Sequence, residues 1–249
     1  MPQTRTDKCE IHGAFEAKCF VGASWTRCPT CSADEDVKDK AQREVQERDD
    51  RRQAWQRRIG EAGIPERFQN RSLLSFIAES EAQARALQFA TDYADRFDQA
   101  LTTGRSALFL GKPGTGKTHL AVGIGLRIMH RDSRTVLFTT VIRAIRRVKD
   151  TWNRESTESE TQAIAALAFP DLLILDEVGV QFGSDAEKLI LFDVLNERYE
   201  RRRPTLLLSN LALDDVKAYL GERVFDRLRE DGGEAIPFDW ASWRGRIAA

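Results

Sequence analysis

The sequence has no long apolar run. Among its 249 residues, no stretch reaches the roughly 18 apolar residues of a membrane-spanning helix, and no hydrophobic segment follows the first methionine. We therefore expect a soluble, cytoplasmic protein without a membrane partner.

The chain also lacks an excess of either charge. Its 38 lysine and arginine residues nearly balance 39 aspartate and glutamate residues, which leaves a formal net charge of −1. Overall charge therefore gives no reason to expect nucleic-acid binding, and any such contact must come from a local patch. No internal repeat or low-complexity tract is visible, and the length suits one sizeable core with a small appendage.

Cysteine is scarce, and its four copies all lie within the first 31 residues. Cys9 with His12, and Cys28 with Cys31, form two pairs with two residues between the members, a spacing typical of Zn²⁺ sites. We predict a tetrahedral Cys₃His zinc centre with a structural role, because four protein ligands leave no open position. Cys19 lies outside both pairs and is either a free thiol or a ligand in place of His12. The competing interpretation is four unrelated thiols in a flexible tail.

The most informative stretch is an apolar run that ends in a glycine-rich loop and continues into a helical pattern. Residues 111 to 118 match G-x-x-x-x-G-K-T, the phosphate-binding P-loop, in the strand–turn–helix setting that it needs. Its glycines let backbone N–H groups close around an anionic phosphate. We predict that Lys117 reaches the β- and γ-phosphates of ATP and that the Thr118 hydroxyl binds Mg²⁺. The predicted nucleotide-binding residues are Gly111, Lys112, Pro113, Gly114, Thr115, Gly116, Lys117, Thr118 and His119.

A second apolar run, at residues 171 to 177, ends in two carboxylates. Such a run is typical of a strand buried on both faces of a parallel sheet, and ligands bind at the carboxyl ends of these strands. We predict that Asp176 holds Mg²⁺ and that Glu177 is the general base for the attacking water, which makes the protein an ATP hydrolase. An acidic helix cap after a core strand is the alternative.

Two further features follow the predicted carboxylates. Asn210 ends a buried apolar strand and would orient the attacking water if that strand lies beside the Asp176 strand; otherwise it simply terminates a strand. Arg223 and Arg227 lie on one helical face. They either pair with neighbouring acids or project into the nucleotide of an adjacent subunit as an arginine finger.

The pattern of elements predicts an α/β fold, a parallel sheet with helices on both faces, over residues 61 to 249. Within it we expect helices at about residues 79 to 99, 118 to 130, 141 to 152 and 188 to 200, and strands at 135 to 139 and 205 to 209. Residues 1 to 33 would form the zinc-binding module. Residues 34 to 60, dense in charge, would form a helical linker between the two.

The order of motifs from the P-loop to the Gly-Glu-Arg-Val-Phe-Asp-Arg-Leu segment at 221 to 228 resembles the AAA+ ATPases of the DnaC helicase-loader group. The Phe-Asp-Trp-Ala-Ser-Trp-Arg segment at 238 to 244 also matches that group, and the resemblance covers about residues 62 to 246. Close relatives of the group are the DnaI loaders and the IstB-like ATPases of insertion-sequence transposition.

The resemblance implies roles for individual residues. Asn210 matches the sensor-1 residue, Arg227 the arginine finger with Arg223 beside it, and Arg244 a sensor-2-like arginine. Lys149 and Trp152 match positions that contact single-stranded DNA, as a cation for phosphate and a ring for base stacking. Arg146 belongs to the same basic helix, for which a plainly solvated face is the alternative.

For function, the resemblance implies an ATP-dependent loader that delivers a hexameric DnaB-type replicative helicase onto single-stranded DNA. Subunits would associate head to tail through the ATP site in a spiral or ring, and hydrolysis would release the helicase. The N-terminal zinc module would grip the helicase. The alternatives are an IstB-like transposition helper acting on duplex DNA and a transposase, or a zinc adaptor in which the ATPase is a slow timer.

Overall fold

The computed structural model describes residues 3–20, 24–132, 134–179 and 184–244. The chain forms two compact units, Met1–Arg58 and Ile59–Ala249. None of the described helices is long and apolar enough to cross a membrane.

The first unit combines a short hairpin with the start of a long helix. Strands β1 (Gln3–Cys9) and β2 (Gly13–Cys19) pair antiparallel, and Gly13 adopts a φ of +83° where the second strand begins. Helix α1 (Pro29–Glu61) opens with proline at its first position, where the missing N–H costs no helical hydrogen bond. The residues predicted as a linker therefore belong to one helix that begins before them and includes Cys31 in its first turn.

Two helices form where the sequence predicts one, over residues 79 to 99. Helix α2 (Glu81–Asp95) starts at a capping box of Ser80 and Gln83, and helix α3 (Phe97–Thr103) follows directly. The prediction of a single helix over 79 to 99 is wrong because Arg96 leaves helical geometry at φ −109° and ψ 26°. After this break Phe97 is fully buried, so the bend delivers an aromatic side chain to the core.

Among the described residues of this unit, five strands form one parallel sheet in the order β4-β5-β6-β3-β7. They are β3 (Ala107–Gly111), β4 (Val136–Thr140), β5 (Leu172–Val178), β6 (Thr205–Ser209) and β7 (Glu234–Phe238). Helices flank the sheet: α4 (Lys117–Asp132), α5 (Val141–Asp150), α6 (Glu160–Ala168), α7 (Asp185–Glu200), α8 (Leu213–Leu220) and α9 (Glu222–Arg229). The predicted α/β class is confirmed.

The strand order places the carboxyl ends of β3, β5 and β6, which carry or precede the predicted site residues, next to one another. Strand β6 lies between β5 and β3, so the residue after β6 emerges between the P-loop and the predicted carboxylates. Every residue of β6, and four of the five in β3, is buried. Continuous apolar strands of this kind need cover on both faces.

Candidate nucleotide-binding site and zinc centre

The P-loop joins β3 to α4 and contains backbone that only glycine tolerates well. Gly114 and Gly116 have φ values of +80° and +98°, in the left-handed region that disfavours side chains. A Cβ at Gly114 would lie 2.0 Å from Ser242 Oγ, and one at Gly116 would lie 2.7 Å from the Phe76 ring. The segments that contain Phe76 and Ser242 therefore pack directly against this loop.

Lys117 is held over the loop by three oxygen acceptors. Its Nζ donates to the carbonyls of Gly111 and Lys112 at 2.6 and 2.8 Å, and to Asn210 Oδ1 at 2.9 Å. The pKa of this ammonium is lowered to about 8, chiefly by burial; the negative charge of Asp176 opposes this shift, and the positive charge of Arg244 adds to it. A bound phosphate would compensate this charge and favour the protonated form.

Asp176 and Thr118 form the candidate magnesium site. The Thr118 hydroxyl donates to Asp176 Oδ2 at 2.9 Å, so helix α4 and strand β5 place the two predicted ligands together. Burial raises the pKa of Asp176, although hydrogen bonds from Thr118 and from the Glu177 N–H oppose the shift. A hydroxyl and a carboxylate beside a P-loop fit the hard-oxygen preference of Mg²⁺.

Glu177 lies at an irregularity in strand β5. The pairing of β5 with β6 shifts register between Leu175 and Val178, and Glu177 has a φ of +62°, which non-glycine residues rarely adopt. Its N–H donates to Asp176 Oδ1 at 2.7 Å, while the side chain is exposed. This irregularity interrupts the alternation of side chains along β5 and leaves the Glu177 side chain in solvent, where a general base can contact water.

The segment after β7 contacts the P-loop through Trp240 and Trp243, two residues for which the sequence predicted no role. The Trp240 indole Nε1 donates to Thr115 O at 2.9 Å, and the Trp243 backbone N–H donates to Gly114 O at 2.9 Å. Arg244 lies near enough to Lys117 to influence its pKa. The aromatic composition of residues 238 to 244 was the available signal, but it does not specify a partner.

His119, predicted to bind nucleotide, contacts the segment that precedes α2. Its Nε2 lies 3.0 Å from Ser72 O and 3.1 Å from Ser75 Oγ, and its ring packs edge-on against Phe76 with centroids 5.4 Å apart. Burial lowers the pKa of His119. The histidine therefore connects this segment to the start of helix α4.

The two candidate finger arginines lie on α9 and contact α7. Arg227 donates to Asn196 Oδ1 and stacks over Tyr199 at 4.6 Å, and Arg223 lies 5.8 Å over Phe192. These contacts are to α7 side chains and not to P-loop residues of the same chain. If either arginine takes part in nucleotide hydrolysis, it would therefore act on the nucleotide bound by another subunit.

The predicted zinc ligands come together within the first unit. Cys9 Sγ lies 3.4 Å from Cys31 Sγ, and His12 Nδ1 lies 3.3 to 3.8 Å from the three sulfurs. The four ligand atoms lie within 4.8 Å of one another. This spacing suits a tetrahedral ion with bonds of about 2.0 to 2.3 Å. Buried Cys19 is not a member of this group.

The environment of the cluster also favours a bound cation. Backbone N–H groups of His12 and Ile11 donate to the Cys9 sulfur and lower its pKa to about 6. The hydrogen bond with Cys9 and burial raise the pKa of the Cys31 thiol, and repulsion by the charges of Cys9 and Cys28 raises it further; a bound cation would remove that repulsion. His12 Nε2 lies 3.8 Å from Asp34, a carboxylate that can orient the ring from behind.

The three predicted DNA-contacting residues lie on or just after α5. Lys149 Nζ donates to Glu187 Oε1 at 2.7 Å, and Trp152 Nε1 donates to Glu160 Oε2 at 2.5 Å. Arg146 is exposed. Two of the three are therefore engaged by carboxylates in this structure.

Residues 20–230 match the sequence profile of a protein family described as IstB-like ATP binding protein. The chain belongs to this family. Membership makes it a P-loop nucleotide-binding protein that works with Mg²⁺, and the predicted relationship to the IstB and DnaC group is confirmed. ATP turnover by this chain remains a prediction.

Among similar proteins, the replicative helicase loader DnaC of Escherichia coli strain K12 is 38% identical over 201 residues, 81% of this chain and 80% of that protein. The DnaC loader of Buchnera aphidicola subsp. Baizongia pistaciae is 35% identical over 192 residues, 77% and 76% of the two chains. The crystal structure of a DnaC helicase loader superposes with a TM-score of 0.63 at 24% identity, covering 70% of this chain and 99% of that one. The last comparison shows a shared fold.

Proposed function

We propose that the protein is an ATP-dependent loader that binds a DnaB-type replicative helicase and delivers it onto single-stranded DNA. The observation that carries this proposal is the 38% identity to a replicative helicase loader across 81% of the chain. Support comes from the site itself, where Lys117 bonds Asn210 and Thr118 bonds Asp176. Elements α4, β5 and β6 thereby contribute to one catalytic arrangement.

In this proposal, ATP binding assembles subunits head to tail. Lys117 and the P-loop N–H groups hold the phosphates, Thr118 and Asp176 hold Mg²⁺, and Glu177 takes a proton from the attacking water. Asn210 orients that water, and Arg227 of the adjacent subunit stabilises the transferring phosphoryl group. Such a contact uses different surfaces on the two partners, so it produces a spiral or ring instead of a closed dimer.

The N-terminal parts of the chain are proposed to bind the helicase and to connect it to the ATPase domain. We propose that residues 1–33 form a zinc-bound module that grips it, and that residues 34–60 connect this module to the ATPase domain at 61–249. Hydrolysis would weaken the contact between subunits and release the helicase.

Glu177→Gln should remove catalysis while preserving binding. Glutamine keeps the size and polarity of the side chain but cannot accept the proton, so turnover should fall about a hundredfold or more. Fluorescent-ATP binding measured beside phosphate release checks both parts. Glu81→Gln on the exposed start of α2 makes the same chemical change away from the site and should behave as wild type. Turnover of the Glu177 variant within threefold of wild type would contradict the role of base.

Capture experiments separate this function from its nearest competitor. A transposition helper that acts on duplex DNA is the second candidate, because the matched family is described as IstB-like. The full chain with ATP is presented to a purified DnaB-type helicase and to a transposase, with single-stranded and duplex DNA compared as stimulators of ATP turnover. Binding to the transposase alone would reject the loader. If neither single-stranded nor duplex DNA stimulates ATP turnover, the result would favour the alternative in which the zinc module is an adaptor and the ATPase is a slow timer.

The ion pair between Lys149 and Glu187 leads to a prediction about binding of single-stranded DNA. Phosphate must displace this carboxylate, so Glu187→Gln should tighten binding to an oligo-dT strand about twofold to fivefold, the effect of one partly exposed ion pair. Glutamine retains the capping geometry that Glu187 makes with Ser184. Fluorescence anisotropy with oligo-dT at fixed salt measures the change.

The control lies in the neighbouring acidic loop. Glu155→Gln removes the same charge, yet no hydrogen bond or ion pair joins the Glu155 side chain to the basic helix among the described residues. The gain from Glu187→Gln should also vanish in a Lys149→Gln background. An equal gain from both glutamate variants would mean that only overall charge matters.

A further inference from the structure

Two carbonyl groups of the P-loop accept hydrogen bonds from the segment after β7. Gly114 O receives the Trp243 N–H, and Thr115 O receives the Trp240 indole N–H, each at 2.9 Å. These are successive peptide groups at the centre of the loop. Donors on one side of the loop therefore fix the rotation of two adjacent peptide planes.

The orientation of a carbonyl determines the orientation of the N–H in the same peptide. In a planar trans peptide the two groups point in opposite directions. With Gly114 O and Thr115 O turned toward the C-terminal segment, the N–H groups of Thr115 and Gly116 point to the opposite side. Consecutive N–H groups presented together form the concave anion site that binds phosphate in such loops.

The donor side chain is itself rigidly supported. The Trp240 ring packs on Phe238 with centroids 4.9 Å apart, and Phe238 packs on Phe109 of β3 at 5.1 Å. Phe238 is fully buried, and its carbonyl approaches Gly111 so closely that a Cβ there would lie 2.1 Å away. The strand that leads into the P-loop and the indole that bonds to the loop therefore belong to one packed stack.

We propose that Trp240 is a positioning residue for phosphate recognition: its indole N–H orients the Thr115 peptide so that the Gly116 N–H faces the polyphosphate of a nucleoside di- or triphosphate. Trp240 acts through the loop and does not itself contact the phosphates. The inference rests on nucleotide binding at the P-loop and requires neither a helicase nor DNA.

The test is Trp240→Phe, which keeps an aromatic ring on Phe238 and removes the N–H donor. Affinity for ADP and for a non-hydrolysable ATP analogue should fall about fivefold to tenfold, the loss of one partly buried hydrogen bond. Affinity for AMP, which has no β-phosphate, should stay within twofold of wild type. KM for ATP should rise while kcat at saturation changes less than twofold. Isothermal titration calorimetry and steady-state turnover give these values.

Controls separate positioning from a loss of folding. Trp25→Phe makes the same change in the other unit and should leave ADP affinity unaltered. If Trp240→Phe lowers the unfolding temperature without nucleotide, benzothienylalanine at position 240, which retains both rings and replaces N–H with sulfur, is measured instead. ADP affinity equal to wild type in that isostere would overturn the inference, as would equal losses for AMP and ADP. A wild-type chain that binds no nucleotide would instead contradict the proposed function.

Discussion

Arg227→Ala should reduce ATP turnover about a thousandfold, the smallest effect expected for loss of an arginine finger. Arg227 contacts Asn196 and Tyr199 of α7 and no P-loop residue of its own chain. If Arg227 is an arginine finger, it therefore acts on the nucleotide of a neighbouring subunit. Binding of ATP by an isolated subunit should change little, because its own P-loop is intact.

Mixing variants distinguishes action between subunits from action within one. Lys117→Ala subunits should lose ATP binding but still carry Arg227, whereas Arg227→Ala subunits retain the P-loop. Neither should turn over ATP alone, and an equimolar mixture should recover activity at mixed interfaces. Arg229→Ala, on the same helix, is the matched control. Failure of the mixture to recover any activity while both variants assemble would contradict the head-to-tail arrangement.

Removal of zinc should unfold the first unit, whereas the second unit should continue to bind nucleotide. The hairpin and the first turns of α1 are mostly exposed, so their own apolar burial is small. Structural zinc supplies about 10 to 16 kcal/mol of apparent folding free energy in comparable small modules. Cys28→Ser, at a buried ligand, should abolish zinc retention and amide-exchange protection in residues 3–20.

Cys19→Ala provides the control for this experiment. Cys19 is buried but stands outside the ligand group, so this variant should retain one zinc per chain with protection intact. Zinc is measured by atomic emission and protection by hydrogen exchange. Loss of zinc from the Cys19 variant and its retention in the Cys28 variant would reverse the ligand assignment. If chelation of zinc leaves binding of the helicase unchanged, the zinc module is not the part of the chain that binds the helicase.

The parts of the site that the sequence predicted are those encoded in short stretches. The P-loop pattern, the run ending at Asp176 and the strand ending before Asn210 each specify a local element. Parallel strands then bring their carboxyl ends to one edge. The zinc pairs are local in the same sense, because the two ligands of each pair lie only three positions apart in the sequence.

The parts that could not be predicted depend on contacts between distant residues. Trp240 and Thr115 are 125 positions apart, and nothing near either residue indicates the other. Arg198 is another case, since an arginine at the end of a helix is usually exposed. Here it is fully buried, its pKa is lowered to about 9 by that burial, and it donates to the carbonyls of Leu167, Ala168 and Pro170.

The position of β3 in the sheet has a consequence for the order of folding during synthesis. Both of its neighbours, β6 and β7, are encoded far downstream, so the P-loop strand has no sheet partner while the first half of this domain emerges from the ribosome. Pairing over such long separations forms late, because the loop-closure entropy must be offset first. The nascent chain would therefore acquire a well-formed nucleotide site only after residues 234 to 244 have been made.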